Sequence, residues 1–191
     1  WDASNDLLDP SRGWRLKAYA SPYLNTLNAD STFFKANIGF SHYLPVMRKP
    51  SLVFAGRASL GTIVGVDRDF VPADLRFYAG GGGSVRGYPY QSVSPLRSDE
   101  KPIGGSSLVE FSAELRWRVS ERIGLVTFLD GGAAFDSSWP DFSTPLRWGT
   151  GLGFRYYTPI GPLRLDVGFP INRREGIDEV VQFYISLGQA F

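Results

Sequence analysis

The sequence contains no cysteine and a single histidine, His42, among its 191 residues. A disulfide framework, a thiolate-bound metal and a multi-histidine metal centre are therefore excluded. The 20 basic residues nearly balance the 19 acidic ones, so the net charge of +1 creates no field that would recruit nucleic acid. We expect no metal, no cofactor and no nucleic-acid partner, and no arrangement of side chains indicates an enzyme.

The sequence also lacks any run close to the ~18 apolar residues that indicate a membrane-spanning helix. No signal-peptide pattern opens the chain, and Trp1 is expected to be a mature or cut start. What the sequence does have is 22 glycines, 13 prolines and 15% aromatic residues. This composition is typical of many short strands joined by turns, and a single all-β barrel can be this long.

Eight segments alternate apolar and polar residues with a period of two, as strands do. In residues 106–119, for example, Phe111 and Leu115 share one face while Glu110 and Glu114 share the other. Charge and glycine mix on the polar faces, which favours a transmembrane barrel with its apolar side chains toward lipid over a soluble sandwich. The sequence thus predicts an all-β, antiparallel transmembrane β-barrel of about eight strands, at residues 12–22, 31–45, 52–66, 106–119, 122–134, 145–157, 163–170 and 180–191.

The predicted connections alternate between short and long. Outer-membrane barrels have short periplasmic turns and longer outer loops, so this alternation also favours a membrane barrel. Residues 46–51, 120–121 and 158–162 are the short connections, and residues 22–30, 67–105, 135–143 and 171–179 are the long ones.

The longest connection, residues 67–105, holds the most distinctive motif. The glycine run 80–83 leads into Val85, Arg86, Gly87 and Tyr88. A loop of this length inside a compact domain is usually functional or disordered, and its aromatic residues favour a packed, functional loop. Phosphate binding is excluded because no Gly-Lys-Ser/Thr follows and no βαβ unit surrounds the glycines.

Arg86-Gly87-Tyr88 after a glycine run resembles the loop tip of the outer-membrane protein assembly factors of the BamA/TamA type. Five further stretches match the same family: residues 8–13, 128–132, 151–155, 161–166 and 182–191. The match covers nearly the whole chain and is most similar to the C-terminal barrel half of the TamA branch. The resemblance implies a sixteen-stranded barrel that follows periplasmic POTRA domains.

On this resemblance, residues 1–191 are expected to be an outer-membrane β-barrel domain of the bacterial surface antigen type. They carry a long inserted loop at about 67–105 and no POTRA domain. Three arrangements stay open: a truncated barrel, a half-barrel completed by a second copy or an N-terminal half, and a closed eight-stranded barrel. An eight-stranded barrel leaves little room for the loop, so closure and loop insertion compete.

The resemblance also implies that Arg86 locks the loop against Asp130 on the lumenal wall. Exchange of the two charges is then expected to restore part of what either reversal loses. Tyr88 is expected to pack on lumenal glycines, Gly149, Gly151 or Gly153. The other expected lumen partners are Phe128, Gly132, Glu110, Glu114, Arg155 and Asp166.

The last strand is expected to form one side of a lateral seam, through Phe183, Ile185, Leu187 and Phe191. The resemblance implies that Phe191 ends this strand as a barrel-targeting signal. An open seam would template an incoming strand by β-augmentation.

The function that follows is assembly or translocation of other outer-membrane proteins, such as autotransporter-type substrates, in a Gram-negative outer membrane. Expected partners are membrane lipid, unfolded outer-membrane proteins and an inner-membrane-anchored protein that spans the periplasm. The alternatives are a passive pore or structural barrel, and a two-partner secretion pore.

Overall fold

The structure is a computed structural model that describes residues 1–24, 32–49, 51–142 and 144–191. Several predictions fall partly elsewhere. The described residues leave out most of the predicted connection at 22–30 and the first residue of the strand predicted at 31–45. They also leave out Pro50 in the connection at 46–51 and Ser143 in the connection at 135–143.

Eight strands form one sheet in the order of the sequence, and each neighbouring pair is antiparallel. This confirms the predicted all-β, antiparallel fold. The strands are β1 (Gly13–Tyr23), β2 (Phe33–Arg48), β3 (Ser51–Val64), β4 (Ser107–Arg118), β5 (Ile123–Phe135), β6 (Arg147–Thr158), β7 (Gly161–Pro170) and β8 (Gln182–Leu187). Short and long connections alternate along the chain as predicted. Within the described ranges, no helix has the length and apolar character needed to cross a bilayer.

The sheet is curled but open. Phe191, beyond β8, stacks on Tyr43 of β2 with ring centroids 6.4 Å apart, so the two ends of the sheet face each other. Among the described residues, however, β1 pairs with β2 and β8 with β7, and no ladder joins β1 to β8. We call the concave side of this sheet the lumen.

The first residues of the chain cover only the start of the free edge of β1. Ala3 N–H donates to the Trp14 carbonyl at 2.9 Å, and Leu16 N–H donates to the Trp1 carbonyl at 2.8 Å. Beyond Leu16, β1 has no described neighbour on that side. Both ends of the sheet therefore carry unpaired backbone.

The convex face is apolar, as the alternation predicts. Phe111, Leu115, Phe183 and Ile185 are all exposed there, which suits contact with lipid because lipid-facing strand positions are apolar. Val109, expected on the same face, is an exception at 6% exposure. It belongs to the buried apolar cluster near the inserted loop.

The connection between β3 and β4 folds into the lumen. Two short 3₁₀ helices, Arg68–Phe70 and Ala73–Leu75, begin it. Further along, Val85 and Tyr88 are fully buried in the apolar cluster that Phe33, Ile63 and Phe135 contribute from the strands. Burial of these side chains is what holds a long, irregular segment in place.

Candidate functional site: the inserted loop and the lumenal wall

The inserted loop is hairpin-like. Phe77 and Gly105 exchange backbone hydrogen bonds of 2.9 and 2.8 Å at its base, and Val93 N–H donates to the Ala79 carbonyl at 2.9 Å. A tight turn follows, closed by a 3.0 Å bond from Ser84 N–H to the Gly81 carbonyl. We call residues 81–84 the glycine turn. The loop therefore presents a defined tip, Gly81 to Tyr88, to the inner wall.

Arg86 is the centre of the site and is 1% exposed. Its Nε lies 2.7 Å from Asp130 Oδ2 and its Nη2 lies 3.0 Å from Asp130 Oδ1, a bidentate pair with β5. Its Nη1 lies 2.6 Å from Glu114 Oε1 on β4 and 3.0 Å from Asp166 Oδ2 on β7. The guanidinium also lies 3.6 Å above the ring of Phe128.

Three carboxylates around one guanidinium keep Arg86 charged. Burial by itself lowers the pKa of Arg86, but the charges of Glu114, Asp130 and Asp166 together raise it above its ordinary value. A buried charge is costly unless it is paired. The pairs with Asp130 and Asp166 are charge-assisted hydrogen bonds of the strong kind, and Glu114 adds a close ionic contact. The loop tip is thus held by contacts to three strands rather than to one.

Further arginines complete this cluster. Arg116 Nε lies 2.7 Å from Glu114 Oε2, Arg155 Nη1 lies 2.5 Å from Asp166 Oδ1, and Arg164 Nε lies 3.3 Å from Asp166 Oδ2. Together with Arg86, four guanidinium groups meet three carboxylates, so the cluster has one positive charge in excess. The sequence predicts Arg155 and Asp166 as lumen partners and places Arg116 and Arg164 on the lumenal face as part of a charge-balanced interior, without a specific partner for either.

Two arginines satisfy the carbonyl groups of the glycine turn, and the sequence gave no sign of these contacts. Arg164 Nη2 donates to the Gly82 carbonyl at 2.6 Å, and Arg57 Nη1 on β3 donates to the Gly83 carbonyl at 2.8 Å. Glu110 accepts a hydrogen bond from the Ser84 hydroxyl. Its contact is therefore with the loop and not with Arg86. Ser112, also missed, donates to Asp130 Oδ1 at 2.5 Å.

Gly87 permits the closest approach of the loop to the wall. Its φ is +99°, and a Cβ there would lie 2.8 Å from the carbonyl carbon of Phe169. Gly149 and Gly168 on the wall leave space for the Arg86–Gly87 main chain, which a Cβ at either glycine would meet. Gly132 likewise leaves space for the Val85 side chain, which would lie 3.2 Å from a Cβ on Gly132.

Tyr88 does not pack on the predicted glycines. Gly149 faces the main chain of Arg86, Gly151 faces the Phe128 ring and Gly153 faces Asp166. The Tyr88 hydroxyl donates instead to Asn172 Oδ1 at 2.9 Å, and the Tyr88 carbonyl accepts from the Tyr184 hydroxyl at 2.8 Å. Gly149 gives its space to the loop backbone, which comes closer to the wall than an aromatic ring would, while Gly151 and Gly153 make room for side chains of the wall itself.

The seam residues divide into two groups. Phe183, Ile185 and Leu187 point outward from β8 and are exposed. Phe191 does not continue that strand, which corrects the expectation that it ends an outward-facing alternation. Gly188 has a φ of +85° and turns the chain into the lumen, where Arg116 Nη2 donates to the Phe191 main-chain oxygen at 3.2 Å.

Comparison with known proteins agrees with this architecture. The solved BamA from Haemophilus ducreyi lacking POTRA domains 1–3 superimposes with a TM-score of 0.76 at 24% identity, over 96% of this chain and 40% of that one. This likeness shows a shared fold.

Two curated relatives are named outer membrane protein assembly factor BamA. The protein from Nitratidesulfovibrio vulgaris is 31% identical over 100% of this chain and 24% of its own length. The protein from Neisseria meningitidis is 23% identical over 88% of this chain and 26% of its own length. The chain thus spans about a quarter of the length of these relatives. Specific similarity to the TamA branch stays a prediction.

A family model described as the Omp85 superfamily domain matches residues 1–191. Together with the BamA relatives, this match confirms the predicted location in the outer membrane of a Gram-negative bacterium. An open eight-stranded sheet with an inserted loop and a whole-length family match lead to one conclusion: the chain belongs to the Omp85 superfamily.

Proposed function

We propose that residues 1–191 are the seam-bearing barrel domain of a factor that assembles other proteins in the outer membrane. The observation that carries this proposal is the open sheet: β8 has no described neighbour beyond β7, and β1 has none beyond Leu16. Such an edge presents unpaired N–H and C=O groups that bind an incoming strand by β-augmentation.

The locked loop supports the same role. It anchors on β4, β5 and β7 through Arg86, which stiffens the wall between the two free edges. Deformation then concentrates at the edges, where substrate strands enter. A passive pore is less well supported because the loop occupies the lumen that such a pore would need open.

The substrates of this domain are unfolded outer-membrane proteins, with autotransporter-type chains as the narrower possibility. Its further partners are lipid, a second copy or an N-terminal barrel half that completes the wall, and an inner-membrane-anchored protein that spans the periplasm. These partners rest on the family membership and on the two free edges.

Site-specific crosslinking tests the seam. The chain has no cysteine, so Ile185→Cys on β8 supplies a single thiol beside the edge. Leu152→Cys is a matched control, since Leu152 is 66% exposed and Ile185 74%, but β6 is paired on both sides. A substrate with one cysteine in its last strand should crosslink to Ile185→Cys and not to Leu152→Cys. Equal crosslinking at both sites, or none during active assembly, contradicts the proposal.

A further inference from the structure

The segment after β8 lies in the lumen and touches the same charge cluster as the loop tip. We call residues 188–191 the tail. Gln189 N–H donates to the Leu8 carbonyl at 2.9 Å, and its side chain donates to Asp9 Oδ1 at 2.9 Å. The Phe191 ring lies beneath Arg116, whose Cζ is 5.1 Å from the ring centroid.

Two chains of contacts join the loop tip to the tail through a carboxylate of the charge cluster. In the first, Arg86 contacts Glu114, Glu114 contacts Arg116, and Arg116 donates to the Phe191 main-chain oxygen at 3.2 Å. The second runs from Arg86 through Asp166 to Arg155, whose Nε donates to Gln189 Oε1 at 2.9 Å. Beside them, Arg57 donates to the Gly83 carbonyl and its Cζ lies 5.4 Å from the centroid of the Phe191 ring.

We propose that Arg116 and Arg155 are positioning residues that couple the inserted loop to the tail of the seam strand. Each arginine gives one part of its guanidinium to a carboxylate shared with Arg86 and another part to the tail. An arginine can do this because its planar group carries five donors in a fixed fork, whereas a lysine carries one compact charge.

The direction of the coupling follows from the acceptors. When the loop lifts, Arg86 leaves oxygens of Glu114 and Asp166 without a partner in a buried place, which is costly. Arg116 remains at Glu114, and both Arg155 and Arg164 remain at Asp166, with Arg164 Nε 3.3 Å from Oδ2. Arg116 and Arg155 turn toward the vacated oxygens. The tail then loses its donors, so a displaced loop yields a released tail and a more mobile seam.

This proposal deepens the proposed function by naming how the seam is regulated, and its biological meaning depends on that function. The physical coupling between the loop and the tail does not depend on that function. Coupling between loop and tail is measurable in the folded protein without any substrate, so a failure here is distinguishable from a failure of the crosslinking assay.

The experiment measures how fast a charged maleimide labels a single cysteine, Ala190→Cys, in the protein folded in lipid nanodiscs. Gly87→Ala displaces the loop without touching the charge cluster and should raise the labelling rate about fivefold or more, within the 5- to 150-fold range usual for coupled sites. Gly83→Ala is the matched control on the same loop, because a Cβ there meets nothing within 4 Å. It should leave the labelling rate unchanged.

The paired variant Arg116→Lys/Arg155→Lys keeps both charges beside their carboxylates but removes the bridges. In this background Gly87→Ala should change labelling less than about twofold, below the usual range for coupled sites. A purely structural role for the two arginines would be rescued by lysine. Arg164→Lys is the control for these two substitutions, because Arg164 also contacts Asp166 but does not touch the tail. In this variant Gly87→Ala should still raise the labelling rate of Ala190→Cys.

A reciprocal measurement covers the case in which Gly87→Ala fails to fold. Coupling must act equally in both directions, so Gln189→Ala/Phe191→Ala should raise the labelling of Gly83→Cys at the glycine turn. An unchanged labelling rate at Gly83→Cys overturns the proposal. So does an effect of Gly87→Ala on the tail that persists unaltered in the double lysine variant.

Discussion

The two sides of the lumen are built differently. Strands β1 to β3 contain no aspartate or glutamate, although they carry Arg15, Lys17, Lys35, Arg48 and Arg57. Strands β4, β5 and β7 contribute Glu114, Asp130 and Asp166, which are buried among arginines under the loop tip. Carboxylates are thus found where an arginine of the loop has to be buried.

The cations of β2 and β3 meet the loop in another way. Lys35 donates to the Leu75 carbonyl at 2.6 Å, and Arg57 donates to the Gly83 carbonyl. These are contacts between a charge and a backbone dipole, and they need no counter-charge from the wall. The comparison teaches that one loop is held by two kinds of bond, a strong ionic one toward β4, β5 and β7 and a weaker one toward β2 and β3.

Removal of Arg86 should have the largest effect. Arg86→Ala leaves three buried carboxylates short of a partner, and breaking a buried ion pair costs about 3–5 kcal/mol. Denaturant unfolding of the detergent-folded chain measures this loss. Arg97→Ala is the control, since Arg97 is exposed and its one ion pair within the described ranges is with Asp99. The unfolding free energy of this variant should change by less than about 0.5 kcal/mol.

An exchange of charges between Arg86 and Asp130 should not restore stability. The sequence alone predicts partial rescue, but Glu114 and Asp166 also contact Arg86. The reversed loop residue would face Glu114 and Asp166, which repel a carboxylate. Partial rescue by the double reversal would show that Asp130 alone holds the loop.

Arginine substitutions on the convex, lipid-facing surface should cost the same on the β1–β3 side of the sheet as on the β4–β7 side. Phe40 on β2 and Leu129 on β5 lie near the middle of their strands and are similarly exposed. Arginine at either position should cost about 2–4 kcal/mol in a bilayer, whereas Ile123→Arg at the start of β5 should cost about 0–1 kcal/mol. Folding into vesicles, followed by urea titration, measures the three values. Unequal costs at Phe40 and Leu129 would show that the two sides do not share a lipid-facing surface.

Gly87→Ala tests the approach of the loop to the β7 side. The positive φ alone costs about 1–2 kcal/mol for a non-glycine residue, and the contact with Phe169 adds to that cost. Gly83→Ala should stay within about 0.5 kcal/mol of the parent chain. Unfolding free energies of the two variants give the comparison, and equal values would contradict the close packing of the loop tip.

Loss of Arg57 should cost less than loss of Arg86. Arg57→Met removes a hydrogen bond between a charge and a carbonyl, for which about 1.5–3 kcal/mol is usual. Unlike Arg86, Arg57 has no carboxylate partner in the described part of the chain, so none there is left unpaired. Lys17→Met on the exposed part of β1 is the control and should have little effect. If Arg57→Met lowers the unfolding free energy more than Arg86→Ala does, the contacts toward β3 hold the loop more strongly than the ionic cluster does.

The smallest effect concerns the connection between β7 and β8. Burial raises the pKa of Asp178, but hydrogen bonds from Arg174 outweigh it, and the net pKa is lowered. A lowered folded pKa stabilises above the unfolded value of 3.8, and this stability is lost as pH falls through the folded value. Unfolding midpoints measured between pH 7 and pH 2 should therefore fall more steeply for the parent chain than for Asp178→Asn. Identical slopes would contradict the pairing of Asp178 with Arg174.

Much of the fold was predictable from local pattern. The alternation in β4, β5 and β7 placed Glu114, Asp130 and Asp166 on one face, since successive strand residues point to opposite sides. The end of β8 was not predictable in this way. By position Phe191 falls on the same face as Leu187, with Gln189 between them, but the positive φ of Gly188 reverses the side to which Phe191 points. Periodicity assumes an extended backbone and fails where a glycine turns it.

The sequence by itself determined the strands, their lipid-facing sides and the unusual character of the loop, because each depends on neighbouring residues. Only the tertiary structure decided which carboxylates surround Arg86, that Arg57 and Arg164 hold the glycine turn, and that the tail returns to the lumen. These contacts join residues far apart in the chain, such as Gln189 of the tail and Asp9, which are 180 positions apart. They depend on how the sheet curls, and no local pattern of residues contains that curvature.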